Sequence, residues 1–134
     1  MRAVRCQAGQ TQIRRVLRHG IREAEHHRVH AIVFVGDAVE EEVDDLAMIA
    51  GQLALKGTKL FLFQEGNNPL ATRAFRHLAK ASRGVHCQFD SAAPDQLRDL
   101  LAAVAAYADG GAVALGRLAA GREGVVRLIE KQLS

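Results

Sequence analysis

Two rhythms of apolar residues run along this chain. Between about Thr11 and His27, Ile13, Val16, Leu17, Ile21 and Ala24 recur at helical spacing, with arginines on the opposite face. Ala31 to Val35 is instead a continuous apolar run rich in β-branched residues and closed by Gly36-Asp37, the pattern of a strand buried on both faces. Val43, Leu46, Ala47, Ala50, Leu53 and Ala54 make a second helical stripe, with Gly57 as its stop. Lys59 to Phe63 reads as a second buried strand. Asn68 as cap and Pro69 at the first helical position open a third helix, whose apolar side is Leu70, Phe75, Leu78 and Ala79 and whose end is Gly84.

Val85 to Phe89 is a short third strand. Asp90 or Ser91 is expected to cap a fourth helix through Leu97, Leu100, Leu101, Val104 and Ala108, which Gly110-Gly111 breaks. A last helix runs to about Leu133, using Leu118, Val125, Leu128, Ile129 and Leu133. Strands joined through whole helices need right-handed crossovers, so the sheet is expected to be parallel with helices on both faces. The predicted fold is a single α/β domain over residues 1–134, three-layered, with a short parallel sheet. Three strands fall below the usual five or six.

The composition fits one hydrophobic core. The 134 residues are 49% hydrophobic, 25% charged and 4% aromatic. No uncharged apolar run approaches the ~20 residues of a membrane-spanning helix, and the N-terminus lacks the apolar core of a signal peptide; a cytoplasmic protein is expected. The net charge of +3 hides an asymmetry. Residues 1–30 carry seven arginines and two glutamates, while residues 36–50 carry six carboxylates and no cation. The arginines lie on the solvent face of one helix with no aromatics between them for base stacking, which argues against nucleic acid.

In open parallel sheets ligands bind at the carboxyl ends of the strands. That edge should gather Gly36-Asp37-Ala38, Gln64 to Asn68, and Asp90-Ser91. Asp37, held where a buried strand ends, is either a ligand-facing carboxylate or the cap of the next helix. The run Glu40, Glu41, Glu42, Asp44, Asp45 is explained by the positive end of a helix dipole. Glu65 shares the edge with Asp37. His26 and His30 have helical zinc spacing, yet nothing near them completes a four-ligand shell. Cys6 and Cys87 read as two reduced thiols. No nucleophile elbow or phosphate-binding glycine loop is present.

Ala8-Gly9-Gln10-Thr11-Gln12-Ile13 before the first helix and Val33-Phe34-Val35-Gly36-Asp37-Ala38 after it resemble the von Willebrand factor A (VWA) domain. Phe63-Gln64-Glu65-Gly66, Phe75 and Phe89-Asp90 further resemble a bacterial subgroup of VWA-like proteins of undefined function. The resemblance implies a metal-ion-dependent adhesion site in which Thr11 and Asp37 hold Mg2+, Gln10 and Glu65 face a protein partner, and a partner carboxylate completes the ion's shell. The family's first strand ends in Asp-x-Ser-x-Ser, which occurs nowhere here. The three strands match the last three of that fold, so the chain resembles the C-terminal half of a VWA domain, with Mg2+ binding weak or absent in this chain alone.

These readings make the chain a non-enzymatic protein-interaction module, the alternative being a small α/β enzyme or ligand-binding domain using Asp37 and Glu65. With the Asp-x-Ser-x-Ser strand missing, Ala31 to Val35 would present a bare apolar edge. Its cover is the chain's own N-terminal segment, its terminal helix, or the same strand of a second copy. The symmetric copy is the simplest, and a homodimer or larger homo-oligomer is expected.

Overall fold

The computed structural model describes residues 2–7 as backbone, together with 13–26, 28–39, 42–120, 129 and 131–133. Its elements, in chain order, are β1 (Arg2–Gln7), α1 (Ile13–His26), β2 (Val29–Gly36), α2 (Val43–Leu55), β3 (Lys59–Glu65), α3 (Pro69–Ala81), β4 (Val85–Phe89) and α4 (Pro94–Ala120). The α/β architecture and the parallel sheet are those the sequence predicts. The strand count is not. Four strands pair in the order β1-β2-β3-β4, all parallel.

β1 covers the edge of β2, so of the expected covers it is the chain's own N-terminal segment that takes the place. Ala3 to Gln7 lie opposite Ala31 to Val35, in register after an irregularity at Arg2. The N-terminal segment therefore takes the place for which a second copy was the simplest occupant. The edge of β2 no longer gives a reason for self-association.

Strand order decides where the helices go. Each crossover advances one position in the same direction, so right-handed connections place every connecting helix on one face. Ile13, Val16 and Leu17 of α1, Leu46, Ala50 and Leu53 of α2, and Phe75 and Leu78 of α3 accordingly share one cluster with Ile32, Phe34, Leu60 and Leu62. The alternate positions, Ala31, Val33, Val35, Phe61 and Phe63, face the other way. They are covered by Leu100, Ala103, Val104 and Ala108 of α4, and by Leu115 and Ile129. β2 and β3 are thus buried on both faces, as their unbroken apolar runs require.

α4 bends at Gly111, whose φ of 69° and ψ of −158° interrupt the helix where the Gly110-Gly111 pair predicts a break. Leu115, beyond the bend, still reaches the same cluster as Leu100. Its start differs from the expected cap. Asp90 Oδ1 accepts from the amide of Ala92 (2.9 Å) and the Asp90 carbonyl from that of Ala93, forming a turn before the helix opens with Pro94 in its first turn. Most of the expected last helix, residues 121–128, lies outside the described residues.

The ends of α2 and α3 explain two of the glycines. α2 closes in a Schellman motif: Gly57, at φ 79°, donates to Ala54 O, and Thr58 donates to Leu53 O. α3 is capped at its start by Asn68, whose Oδ1 accepts from the amides of Leu70 and Ala71. It ends in the same motif with the residues displaced by one. Arg83 occupies the left-handed position at φ 55° and donates to Lys80 O, and Gly84 donates to Ala79 O. Gly84 is needed because a Cβ there would collide with the backbone carbonyl oxygen of Leu60.

The free edge of β4 is met at one residue. The side-chain amide of Gln132 accepts from His86 N–H (2.9 Å) and donates to His86 O (2.9 Å), pairing with the strand as a neighbouring strand would. No helix among the described residues is long and apolar enough to cross a membrane.

Two substitutions check the α3 terminus. Arg83→Gly relieves a left-handed side-chain residue and is expected to stabilise the fold by about 0.5–1 kcal/mol. Gly84→Ala forces the end of α3 away from β3 and is expected to cost about 1–3 kcal/mol. Urea melts of the two variants should move in opposite directions; a shift in the same direction would show that the terminus is not built this way.

Candidate functional site

Parallel strands end together at one edge, and the segments after β2, β3 and β4 meet there as the sequence predicts. Gly36, Asp37, Glu65, Asp90 and Ser91 line one cleft of about 680 Å3 with Val35, Phe89, Pro94, Leu97, Arg98 and Leu101. A shallower continuation of about 570 Å3 reaches Gly66, Asn67, Gln88 and Gln96. The floor is apolar, from strand ends and the first turns of α4. The rim is polar, and Asp37, Glu65, Asp90 and Ser91 are all exposed.

Asp37 does not cap α2. That helix begins at Val43, and its N-cap is Glu42, whose side chain makes no capping hydrogen bond. The cap alternative therefore fails because five residues separate Asp37 from the first turn. Asp37 has no hydrogen bond to another described residue. Asp44 and Asp45 do sit in the first turn of α2, where the helix dipole favours them, and Asp45 also pairs with Arg14 of α1 at 3.2 Å. Thr11 and Gln10 lie outside the described residues. β1 ends at Gln7, opposite Val35 and so at the same edge as Asp37, and α1 begins at Ile13.

The chemistry of a divalent cation tests this edge. Mg2+ asks for near-octahedral oxygen ligands. Among the described residues no three His, Cys, Asp or Glu side chains come close enough to hold one ion, although three carboxylates line the cleft. The zinc alternative fails on its spacing. His26 is the last residue of α1 and His30 lies in β2, so the four-residue spacing does not fall on one helix face.

Sequence reasoning missed a buried polar network beside this edge, on the α3 side of the sheet. Gln64 is fully buried and follows the apolar run Leu60 to Phe63 in β3. Its Nε2 donates to Asn68 O at 3.3 Å, which fixes the amide so that Oε1 accepts from His86 Nε2 at 2.8 Å. The Thr72 hydroxyl lies 3.0 Å from both Gln64 Oε1 and Asn68 O and accepts from Gln88 Nε2 at 3.1 Å. The imidazole of His86 stacks on Phe75, with ring centroids 6.2 Å apart. The available signal was the alternation in β4, where polar His86 and Gln88 interleave with apolar Val85, Cys87 and Phe89. This network ties β3 and β4 to the start of α3, and so positions Glu65 and the loop that follows it.

Burial, and then the charge of Arg76, hold the His86 imidazole below its ordinary pKa of 6.5. The unfolded chain takes up this proton as pH falls through 6.5, while the folded chain takes it up only at lower pH. Stability conferred by neutral His86 is therefore lost on acidification across that window and levels off below it. The stability difference between the wild type and His86→Gln, measured by urea melts from neutral to mildly acidic pH, should shrink as pH falls. A difference that stays constant would mean the imidazole is not held neutral.

Cys87, on the α4 side of β4, is buried. Desolvation pushes its thiol up to about 11, against a weak opposing hydrogen bond from Gln132. At neutral pH only roughly one thiol in ten thousand is then ionised. In a Cys6→Ser background, labelling by an aromatic disulfide reagent should proceed no faster than unfolding. Rapid labelling of the folded protein would contradict the buried placement.

Comparison of the chain with protein-family models, with curated proteins and with solved structures found no match in any of the three.

Proposed function

We propose that this chain is a non-enzymatic protein-interaction module that engages its partner at the cleft where β2, β3 and β4 end. The observation that carries this reading is the state of Asp37. It terminates the most buried strand, stands exposed at the rim, and is spent neither on capping α2 nor on a hydrogen bond to a described residue. Glu65 and Asp90 extend the negative rim, and Val35, Phe89, Leu97 and Leu101 give it an apolar floor. Such a combination suits a partner segment that brings a lysine or arginine flanked by apolar side chains. Among the described residues no nucleophile is held dry beside the exposed carboxylates, and this supports binding over catalysis.

The resemblance to a VWA domain points to the same edge and the same class of function. Under that reading Thr11 and Asp37 share Mg2+, and Gln10 and Glu65 meet the partner, in a cytoplasmic setting. The direct and the ion-mediated forms are separated by one titration. A short peptide alternating leucine with lysine, added to the 15N-labelled chain in a chelator, is expected to move the amides of Gly36, Asp37, Glu65 and Asp90. Asp37→Asn should weaken it roughly threefold to tenfold. Mg2+ alone moving the same signals would support the ion-mediated form. A cleft that responds to neither peptide nor Mg2+ would overturn the proposal.

A further inference from the structure

The opposite edge of the sheet carries a second cleft of reversed charge. At the amino ends of β3 and β4, Lys59, Arg76, Lys80 and Arg83 surround a concavity of about 600 Å3, together with Gly84, His86 and Gln132. The four cations come from three places: the first residue of β3, the second half of α3, and the turn into β4. No carboxylate among the described residues lines the cleft. Among the described residues none of the four forms an ion pair, whereas Arg14 and Arg98 each meet an aspartate. Lys59 Nζ donates to Arg83 O at 3.1 Å, which fixes the lysine across the cleft from the helix.

Cations in the last turn of a helix are favoured by its negative end, and this accounts for Lys80. It does not account for Lys59 on a strand. Nor does it account for Arg83, which holds a left-handed conformation that glycine adopts without cost, one residue before a glycine that the packing requires. A side chain is kept on Arg83 against a local preference, and it lines this cleft.

We propose that the cleft at the amino edge of β3 and β4 binds a small anion carrying more than one phosphate group. Four positive charges exceed what a monoanion would balance. Guanidinium groups match phosphate oxygens in pairs, and Arg76 and Arg83 supply two of them. The volume is that of a small-molecule site, and the cations enclose a concavity rather than forming the stripe that a polymer backbone would follow. This site is independent of the carboxyl-edge cleft and of the function proposed for it.

Pyrophosphate is the probe. Titrated into the full 15N-labelled chain at low salt, it is expected to move the amides of Arg76, Lys80, Arg83, Gly84 and His86 to saturation. Its affinity should fall about tenfold in Arg83→Gly and in Lys80→Gln. Arg83→Gly keeps the turn in its preferred residue, and a thermal melt no lower than wild type would show that lost binding is not lost folding. Asp37→Asn, at the other edge, should bind pyrophosphate as the wild type does. The proposal is overturned if millimolar pyrophosphate produces no saturable shift, if Arg83→Gly binds equally well, or if Asp37→Asn alters the affinity. It is equally overturned if a short single-stranded RNA binds more tightly than pyrophosphate and spreads its shifts along Arg14, Arg18 and Arg22.

Discussion

Everything in this fold answers to the burial of β2 and β3. Their side chains are removed from water on both faces, and parallel pairing consumes their backbone groups on both edges. A strand of this kind has no stable existence alone. It needs helices above and below and a strand on each side. Helices α1, α2 and α3 fill one face, α4 the other, and β1 and β4 supply the flanks. Phe34 against Phe75 and Phe61 against Tyr107 mark where the central strands meet a helix on each face. The outer strands are where this demand relaxes. β4 has β3 on one side and, among the described residues, meets the Gln132 amide at His86 on the other. Its His86 and Gln88 side chains form a polar network with Gln64 and Thr72.

The same winding sorts the surface chemistry. Parallel strands collect all loops leaving the sheet at one edge and all loops entering it at the other. Asp37, Glu65 and Asp90 follow their strands, so they gather at the carboxyl edge. Lys59 opens β3 and Arg83 precedes β4, so they meet at the amino edge beside the last turns of α3. The two clefts of opposite charge are thus a consequence of strand direction. The Gln64 side chain connects them through β3 and β4, since it touches both the start of α3 near Glu65 and the imidazole that borders the basic cleft.

Much of this was legible in the chain itself. The continuous apolar runs gave β2 and β3 to within two residues at either end, because a strand buried on both faces leaves no polar interruption. Asn68-Pro69 marked the start of α3 through the chemistry of its free amides. β1 was invisible for the converse reason. Arg2 and Arg5 break its apolar character, as an outer strand tolerates, and six such residues carry no period that distinguishes them from a leader to α1. The start of α4 was misplaced because Asp90 makes its hydrogen bond within a preceding turn, and Pro94 was the better marker. At the carboxyl edge the placement of Asp37, Glu65 and Asp90 followed from topology alone. The basic cleft did not, since Lys59, Arg76, Lys80 and Arg83 are scattered over 25 residues and only the packing of α3 on β3 and β4 assembles them.

The central claim is that β2 is an inner strand, paired on both sides within one chain. Amide hydrogen exchange of the residues 31–35 tests it directly, because successive amides of a parallel strand point alternately toward its two neighbours. If β1 pairs as described, all of these amides are strongly protected in a particle of 14.5 kDa. Protection of only every second amide in that monomer, or protection that appears only in a dimer, would contradict it.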